Sequence, residues 1–291
     1  MKCWVCGRDS FTPVGGMDNL ILQPDSFKIT DAHYGVSLPR FRCENCGFIQ
    51  CNTTDVTSYY EQLEDSDYIE SSSQRTLQFE KLLKAVGPYI KNGGKVLDIG
   101  AGSGIFIHEA TKYGYSATGI EPSAYLAGKA QDAGLNVIQG TFPESCPCEK
   151  YDTIFLTDVI EHIVDPMPML KRMPEYLKSD GKVVVTTPDV SSVLAKVMGN
   201  RWWHYRVAHI GYYSKNTLGQ IMEHAGLTPV KWKYAKWYFS SRYIMQRLAQ
   251  YFPFIKPITR IAPKNLIIPL NLYDSWIGVF EVKKGIYENE I

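Results

Sequence analysis

Along the middle of the chain, short runs of apolar and β-branched residues alternate with stretches whose apolar positions recur every three or four residues. The runs Lys95–Ile99, Ser116–Ile120, Val137–Gln139, Thr153–Thr157 and Lys182–Thr186 read as strands. Strands separated by helical patterns need crossover connections, so this region predicts a doubly wound α/β fold with a parallel sheet. Upstream, residues 53–92 are polar and acidic at first, then place Leu77, Leu82, Leu83 and Val86 at helical spacing. Downstream, residues 191–291 are aromatic-rich and less regular, and end in two strand-like runs, Val230–Tyr234 and Trp276–Val282. The pattern divides the chain into three parts: a first module over 1–52, a helical linker over 53–92, and a main domain over 93–291.

Composition narrows the class. The 291 residues carry 31 basic and 30 acidic side chains, a net charge of +1 that lacks the basic excess of a dedicated nucleic-acid binder. No run of about 18 uncharged apolar residues is present, so a spanning helix is not expected. Met1-Lys2-Cys3-Trp4 does not open an apolar leader run. The expected setting is the reducing cytoplasm, where cysteines hold metals in preference to forming disulfides.

Five of the seven cysteines fall in the first 52 residues, four of them as Cys3-Trp4-Val5-Cys6-Gly7 and Cys43-Glu44-Asn45-Cys46-Gly47. A CxxC turn aims two thiolates at one point, and the following glycine permits the tight backbone turn. Two such knuckles supply Cys3, Cys6, Cys43 and Cys46 to one tetrahedral zinc ion in a small zinc ribbon. A closed four-thiolate site keeps no open position, so the metal is assigned to folding. The long segment between the knuckles must fold back as hairpins. Cys51 is close enough to be a substitute ligand. Cys146 and Cys148 read as part of a surface loop.

Lys95-Val96-Leu97-Asp98-Ile99-Gly100-Ala101-Gly102-Ser103-Gly104 is the most informative run. An apolar strand ends in an acid, and three alternating glycines then open a helix near Ile105. Such a loop lets backbone N–H groups approach a ligand closely. It has neither the GxGxxG spacing of dinucleotide folds nor the Gly-Lys-Ser/Thr ending of a phosphate loop. Asp98 would repel a pyrophosphate and suits a ligand with a cationic amine. In Gly119-Ile120-Glu121-Pro122-Ser123, an acid at the end of the second strand is placed to accept hydrogen bonds from both hydroxyls of a ribose. Thr141 and Phe142, after the third strand, are placed to flank an adenine. The fourth strand leads into Thr157-Asp158-Val159-Ile160-Glu161-His162.

The runs VLDIGAGSG, GIEPS and TDVIEHIVDP resemble the successive cofactor motifs of class I S-adenosylmethionine-dependent methyltransferases. The wording DVIEH is similar to the quinone-type and sugar-type branches. A CxxC pair of knuckles ahead of such a domain resembles bacterial sugar methyltransferases of antibiotic and surface-glycan pathways. The resemblance is close over residues 93–190 and looser over 191–291. It implies a Rossmann-like sheet, mostly parallel with an antiparallel C-terminal strand, covered by 53–92 as a cofactor lid. It implies that Asp98 and Gly100 sit near the methionine part of S-adenosylmethionine, that Glu121 holds the ribose and that Asp158 lines the sulfonium pocket, with Gly102, Gly104 and Pro122 also among the cofactor-binding residues.

Methyl transfer from an activated donor asks a protein mainly for alignment, and transfer to a hydroxyl also benefits from a base. His162, just after the fourth strand, is the first candidate. His209, within Trp202-Trp203-His204-Tyr205-Arg206-Val207-Ala208-His209, is the second. His33, His108 and His224 read as ordinary residues. Asp158, Glu161 and His162 would share one face if this segment is helical. The similarity to quinone O-methyltransferases with an ExxEH pattern implies a divalent cation there, although the first acid is Asp in this chain. The aromatic residues after position 200 serve either as packing or as a platform for a sugar ring. The segment 246–272 mixes apolar residues with Lys256, Arg260 and Lys264 and reads as a lid or as a contact with a membrane surface, although its prolines argue against one long amphipathic helix. The expected activity is O-methylation of a sugar, in a nucleotide sugar or a surface glycan. The alternatives are O-methylation of a quinone or another small molecule, and a non-catalytic scaffold that binds the cofactor.

Overall fold

The computed structural model describes residues 1–283 apart from 18–19, 29–33, 54–55, 71, 260 and 264–265. His33, Arg260 and Lys264 therefore lie outside the described residues. In chain order the strands are β1 (Phe11–Gly15), β2 (Arg40–Cys43), β3 (Ile49–Cys51), β4 (Lys95–Ile99), β5 (Ser116–Glu121), β6 (Val137–Gln139), β7 (Tyr151–Thr157), β8 (Leu177–Pro188), β9 (Gly211–Tyr212), β10 (Leu227–Tyr234), β11 (Trp237–Ser240), β12 (Ile267–Leu270) and β13 (Ser275–Val282).

Seven of them form one twisted sheet in the order β10-β13-β8-β7-β4-β5-β6. β8, β7, β4, β5 and β6 run parallel, each joined by a crossover, as the alternation of strand and helix patterns predicts. β13 adds antiparallel at the β8 edge and β10 pairs antiparallel with β13, so β13 alone runs against the other six strands, the single antiparallel C-terminal strand expected. Leu227 and Ser275 extend the two sequence-predicted runs. β7 is buried on both faces along six of its seven residues, which is why Tyr-Asp-Thr-Ile-Phe-Leu-Thr shows no clean polar alternation.

Side chains alternate between the two faces and create two core layers. One gathers Val96, Phe155, Val184 and Val279 under the helices Ser72–Val86 and Ile105–Lys112. The other gathers Ile154, Val183, Val185 and Phe280 with Leu218 and Ile221, and it continues without a break into Cys3, Val5, Cys43 and Phe48 of the first module. The Phe48 and Tyr213 rings meet at 4.9 Å, and Val5 O lies 2.9 Å from His224 Nδ1.

The first module is an antiparallel meander, β1-β2-β3, as the fold-back argument requires, and the two-residue strand β9 completes it from 160 residues downstream of β3. β11 and β12 form a separate two-stranded ribbon at the base of the excursion between β10 and β13. The prolines of 246–272 act as expected: a helix over Ser241–Tyr251 stops, and only a short turn at Pro253–Ile255 and a four-residue helix at Lys256–Thr259 follow. Among the described residues, no helix is long and apolar enough to cross a membrane. Much of the aromatic segment is packing: Trp202, Tyr212 and Tyr213 are buried, and Trp232 lies against Trp276 and Phe280.

Candidate active site

β4 ends at Asp98-Ile99, and the glycine loop turns from it into the helix Ile105–Lys112. Gly100, Gly102 and Gly104 have φ of 76°, 55° and 78°. At Gly102 a side chain is excluded twice, by this left-handed backbone and because a Cβ would sit 2.7 Å from Tyr68 Oη. Gly100 N and Ala101 N both donate to Ile120 O, which ties the loop to the end of β5. There Glu121 accepts from Gly102 N at 2.7 Å and from Ser123 N at 2.8 Å. Pro122 occupies the turn between these two residues. Ser123 caps the helix Ala124–Asp132 and donates to Leu63 O at 2.7 Å, so the end of β5 is anchored from both sides.

Asp98 is buried beside this loop and its Oδ1 has no hydrogen-bond partner. Burial, together with the neighbouring Glu121, raises its pKa well above the carboxylate range. Burial also pushes Glu121 up to about 7, against the two backbone N–H donors that pull it down. Two buried carboxylates, one with an orphaned oxygen, fit a ligand that brings a cation and hydroxyl donors. The amine and ribose of S-adenosylmethionine have those groups. Tyr68 closes the site from the helix Ser66–Glu70, and the Arg75 guanidinium lies 4.1 Å from its ring centroid. At the far edge, Thr141 donates to Glu144, while Phe142 is buried with its ring 5.0 Å from that of Tyr176.

The segment after β7 does not form the helix that would align Asp158, Glu161 and His162. Asp158 takes φ of 54°, and only the three residues Ile160–His162 make a tight 3-10 turn. A left-handed aspartate is strained unless its surroundings hold it. Here Asp158 N donates to Thr186 O, and Thr186 Oγ1 donates to Asp158 Oδ1 at 3.0 Å. The turn sends Glu161 away from that carboxylate, to accept from Thr187 Oγ1 at 2.9 Å. Thr186 and Thr187 are consecutive in β8, and their side chains leave opposite faces of the sheet. Asp158 and Glu161 are thereby held on the two sides of one strand end.

On the Glu161 side, ligand atoms of Glu161, His162 and His209 all lie within 4.8 Å of one another, a set able to hold a cation. His209 takes the third place that the helical reading gave to Asp158. His162 Nδ1 is 2.7 Å from Tyr60 Oη and 2.9 Å from Ala208 O. His209 is buried, and its Nδ1 has no partner. Burial lowers the His162 pKa to about 3, with the Arg206 charge adding to the effect. Burial and His162 hold His209 well below 6.5 as well. Both rings are therefore neutral at neutral pH.

On the Asp158 side, a cavity of about 430 Å³ opens at Thr157 and Thr186, lined by Phe79, Trp237, Tyr238 and Lys236 among others.

In the first module, Cys3 Sγ lies 3.6 Å from Cys46 Sγ and Cys6 Sγ lies 3.6 Å from Cys43 Sγ, and all four sulfurs are within 4.8 Å of one another. A tetrahedral ion with bonds of about 2.3 Å separates its sulfurs by roughly 3.8 Å, so the cluster has the right size. Gly7 and Gly47, at φ of 72° and 77°, each donate back to the first cysteine of their knuckle. Cys51 is not part of the cluster: its Sγ faces Leu38 O and His209 O. Cys148 is exposed and Cys146 partly buried, as suits a surface loop. Tyr60, Tyr68, Arg75, Thr186 and Thr187 were not legible as site residues, because what makes them so is contact across distant segments.

The sheet order, the glycine loop and the paired acids define a class I S-adenosylmethionine-dependent methyltransferase domain. Residues 72–231, more than half of the chain, match the family described as "Methyltransferase domain", and the chain belongs to that family. Over 150 residues it is 27% identical to a ubiquinone biosynthesis O-methyltransferase of Bradyrhizobium diazoefficiens, a match covering 50% of this chain and 54% of that protein. Over 107 residues it is 33% identical to a protein of the same name from Actinobacillus pleuropneumoniae, covering 33% of this chain and 46% of that one. The chain thus spans about half the length of these curated relatives. The CcbJ methyltransferase of Streptomyces caelestis shares the fold, with a TM-score of 0.52 at 12% identity over 79% of this chain and 100% of that one.

Proposed function

We propose that this protein transfers the methyl group of S-adenosylmethionine to a hydroxyl of a small ring-shaped acceptor, with one structural zinc ion on its four N-terminal cysteines. The observation that carries the reading is the buried Asp98 with its orphaned oxygen beside Glu121 and the glycine loop. In this assignment Asp98 and Gly100 border the methionine end, and Gly102 and Gly104 give the backbone room. Glu121 and Pro122 border the ribose, Thr141 and Phe142 the adenine edge, and Asp158 the sulfonium. Tyr68 and the segment 53–92 act as the lid. The cofactor supplies a methyl group on a cationic sulfonium, an electrophile that needs alignment more than activation.

The relatives favour a small-molecule acceptor, as in the quinone-type alternative, over the surface-glycan sugar expected from the zinc knuckles. His209, with an unpartnered Nδ1, stands ahead of His162 as the group that takes the hydroxyl proton, since His162 Nδ1 is already engaged. A second reading has a divalent cation on Glu161, His162 and His209 bind the acceptor oxygen, supported by the closeness of their ligand atoms. Four thiols kept reduced for a metal fit a cytoplasmic setting.

The test combines calorimetry with S-adenosylhomocysteine and a labelled-methyl assay on catechols and nucleotide sugars, with and without a chelator. Binding and labelled catechols support the proposal. Failure to bind overturns the cofactor assignment. Label found only in the sugars restores the glycan reading, and loss of turnover with chelator favours the cation over the histidine base.

A further inference from the structure

The chain between Glu223 and Asp274 contains no acidic residue, yet it carries eight of the protein's 31 basic side chains. Within it, the excursion from β11 to β12 lies beyond residues 72–231, the stretch that matches the family. Its base is well tied. Ser241 N donates to Leu266 O at 2.8 Å, Ser241 Oγ to Pro263 O at 2.7 Å, and Arg242 Nε to Ala262 O at 2.9 Å. Tyr251 Oη reaches across to Arg201 O at 3.0 Å. Among its described residues the side turned inward buries only small ones, Ser241, Ala249 and Ala262, while large apolar ones face out. Phe254 is 78% exposed and Ile261 79%, with Phe252, Ile258 and Leu266 exposed around them. The reverse order, large apolar residues inside, is what a self-contained excursion needs.

We propose that this excursion is a membrane-surface anchor, its apolar tip entering the headgroup boundary of a bilayer that carries anionic lipids. An exposed apolar cluster of this kind marks an interaction site. A second copy of this chain fits it poorly, since a two-fold interface would set two surfaces rich in cations and free of acids against each other. Anionic headgroups complement Lys256 and its neighbouring cations, and the acyl boundary accepts Phe254 and Ile261. Pro253 and Pro257 break the segment into short pieces, so it lies on the surface and does not span.

The test is flotation of the full chain with phosphatidylcholine vesicles, with and without phosphatidylglycerol. The wild type is expected to float with the anionic vesicles and to be released by salt. F254S combined with I261S should lower the bound fraction by roughly tenfold or more, in keeping with the loss of inserted apolar groups. Both side chains are exposed, so S-adenosylhomocysteine binding by the double variant should be unchanged and reports that the protein is folded. A wild type that stays with the pellet in the presence of anionic vesicles overturns the proposal. So does a folded double variant that floats as well as wild type, or apolar-dependent self-association without vesicle binding.

Discussion

The four-cysteine cluster and the Glu161–His162–His209 cluster are both sets of metal-ligand side chains, and they are built in opposite ways. The first is local: each knuckle places two sulfurs by a turn of its own, fixed by Gly7 or Gly47. The second is assembled from segments 47 and more residues apart, and its members are already held by protein groups, Glu161 by Thr187 and His162 by Tyr60 and Ala208. The protonation chemistry differs as well. Four thiols within 4.8 Å gain little from one another unless a cation joins them, whereas two neutral imidazoles and a carboxyl can persist without one. On the proposed assignment, the thiol set needs a cation to hold its structure, and the imidazole set is free to serve chemistry.

The largest effect that separates the two is expected from Cys43→Ser. Structural zinc sites contribute on the order of 10 kcal/mol or more to the folding of their modules. The variant should lose its one tightly bound ion and expose the first fifty residues to protease. Metal analysis of anaerobically purified wild type that finds no zinc would break the comparison at its first term.

His209→Asn comes next. A general base is worth roughly 10²–10⁴-fold in turnover, and S-adenosylhomocysteine affinity should be unchanged because no cofactor group is assigned to this ring. With both histidines titrating far below neutrality, turnover should show no limb near the ordinary histidine value of about 6.5. Full turnover in both His209→Asn and His162→Asn would remove the base from this cluster.

How far each cluster could be read from sequence follows the same divide. The cysteine knuckles, the glycine loop, Asp98 and Glu121 are each contained in a few consecutive residues, and the five parallel strands announce themselves through β-branched runs. β9 has two residues, too few for a periodic signal, and it matters only because it pairs with β3. Asp158 was read as the start of a helix because its spacing to Glu161 and His162 is helical. What overrides the spacing is Thr186, whose backbone and hydroxyl both hold Asp158 and which belongs to another strand. Tyr68 gives no periodic signal either; its place over the loop follows from how the helix Ser66–Glu70 packs, and the absent Cβ of Gly102 is the local trace.

A third effect concerns the ribose end. Glu121→Ala should weaken S-adenosylhomocysteine by about 1.5–3 kcal/mol, the scale of hydrogen bonds to a charged acceptor, with the zinc content unaltered. Unchanged affinity, measured by calorimetry, would refute the ribose assignment.

The smallest effect is a pH dependence with a definite sign. Glu121 has its folded pKa raised to about 7, above its unfolded value. Its contribution to the stability of the cofactor-free fold is full below the unfolded pKa and is lost as pH rises through 7. Cofactor binding runs the other way. Ribose hydroxyls donate to the carboxylate, so a protonated Glu121 must first release its proton. Affinity for S-adenosylhomocysteine should be flat above pH 7 and fall by about tenfold for each unit below it. Asp98, also raised, acts in the same direction when it pairs with the ligand's amine. Glu121→Gln separates the two, since it removes the limb near 7 while keeping the side chain's size. Calorimetry at pH 6 and pH 8 that gives equal affinity for the wild type would show that the ligand does not need the carboxylate ionised. A limb that survives in Glu121→Gln would move its origin to Asp98.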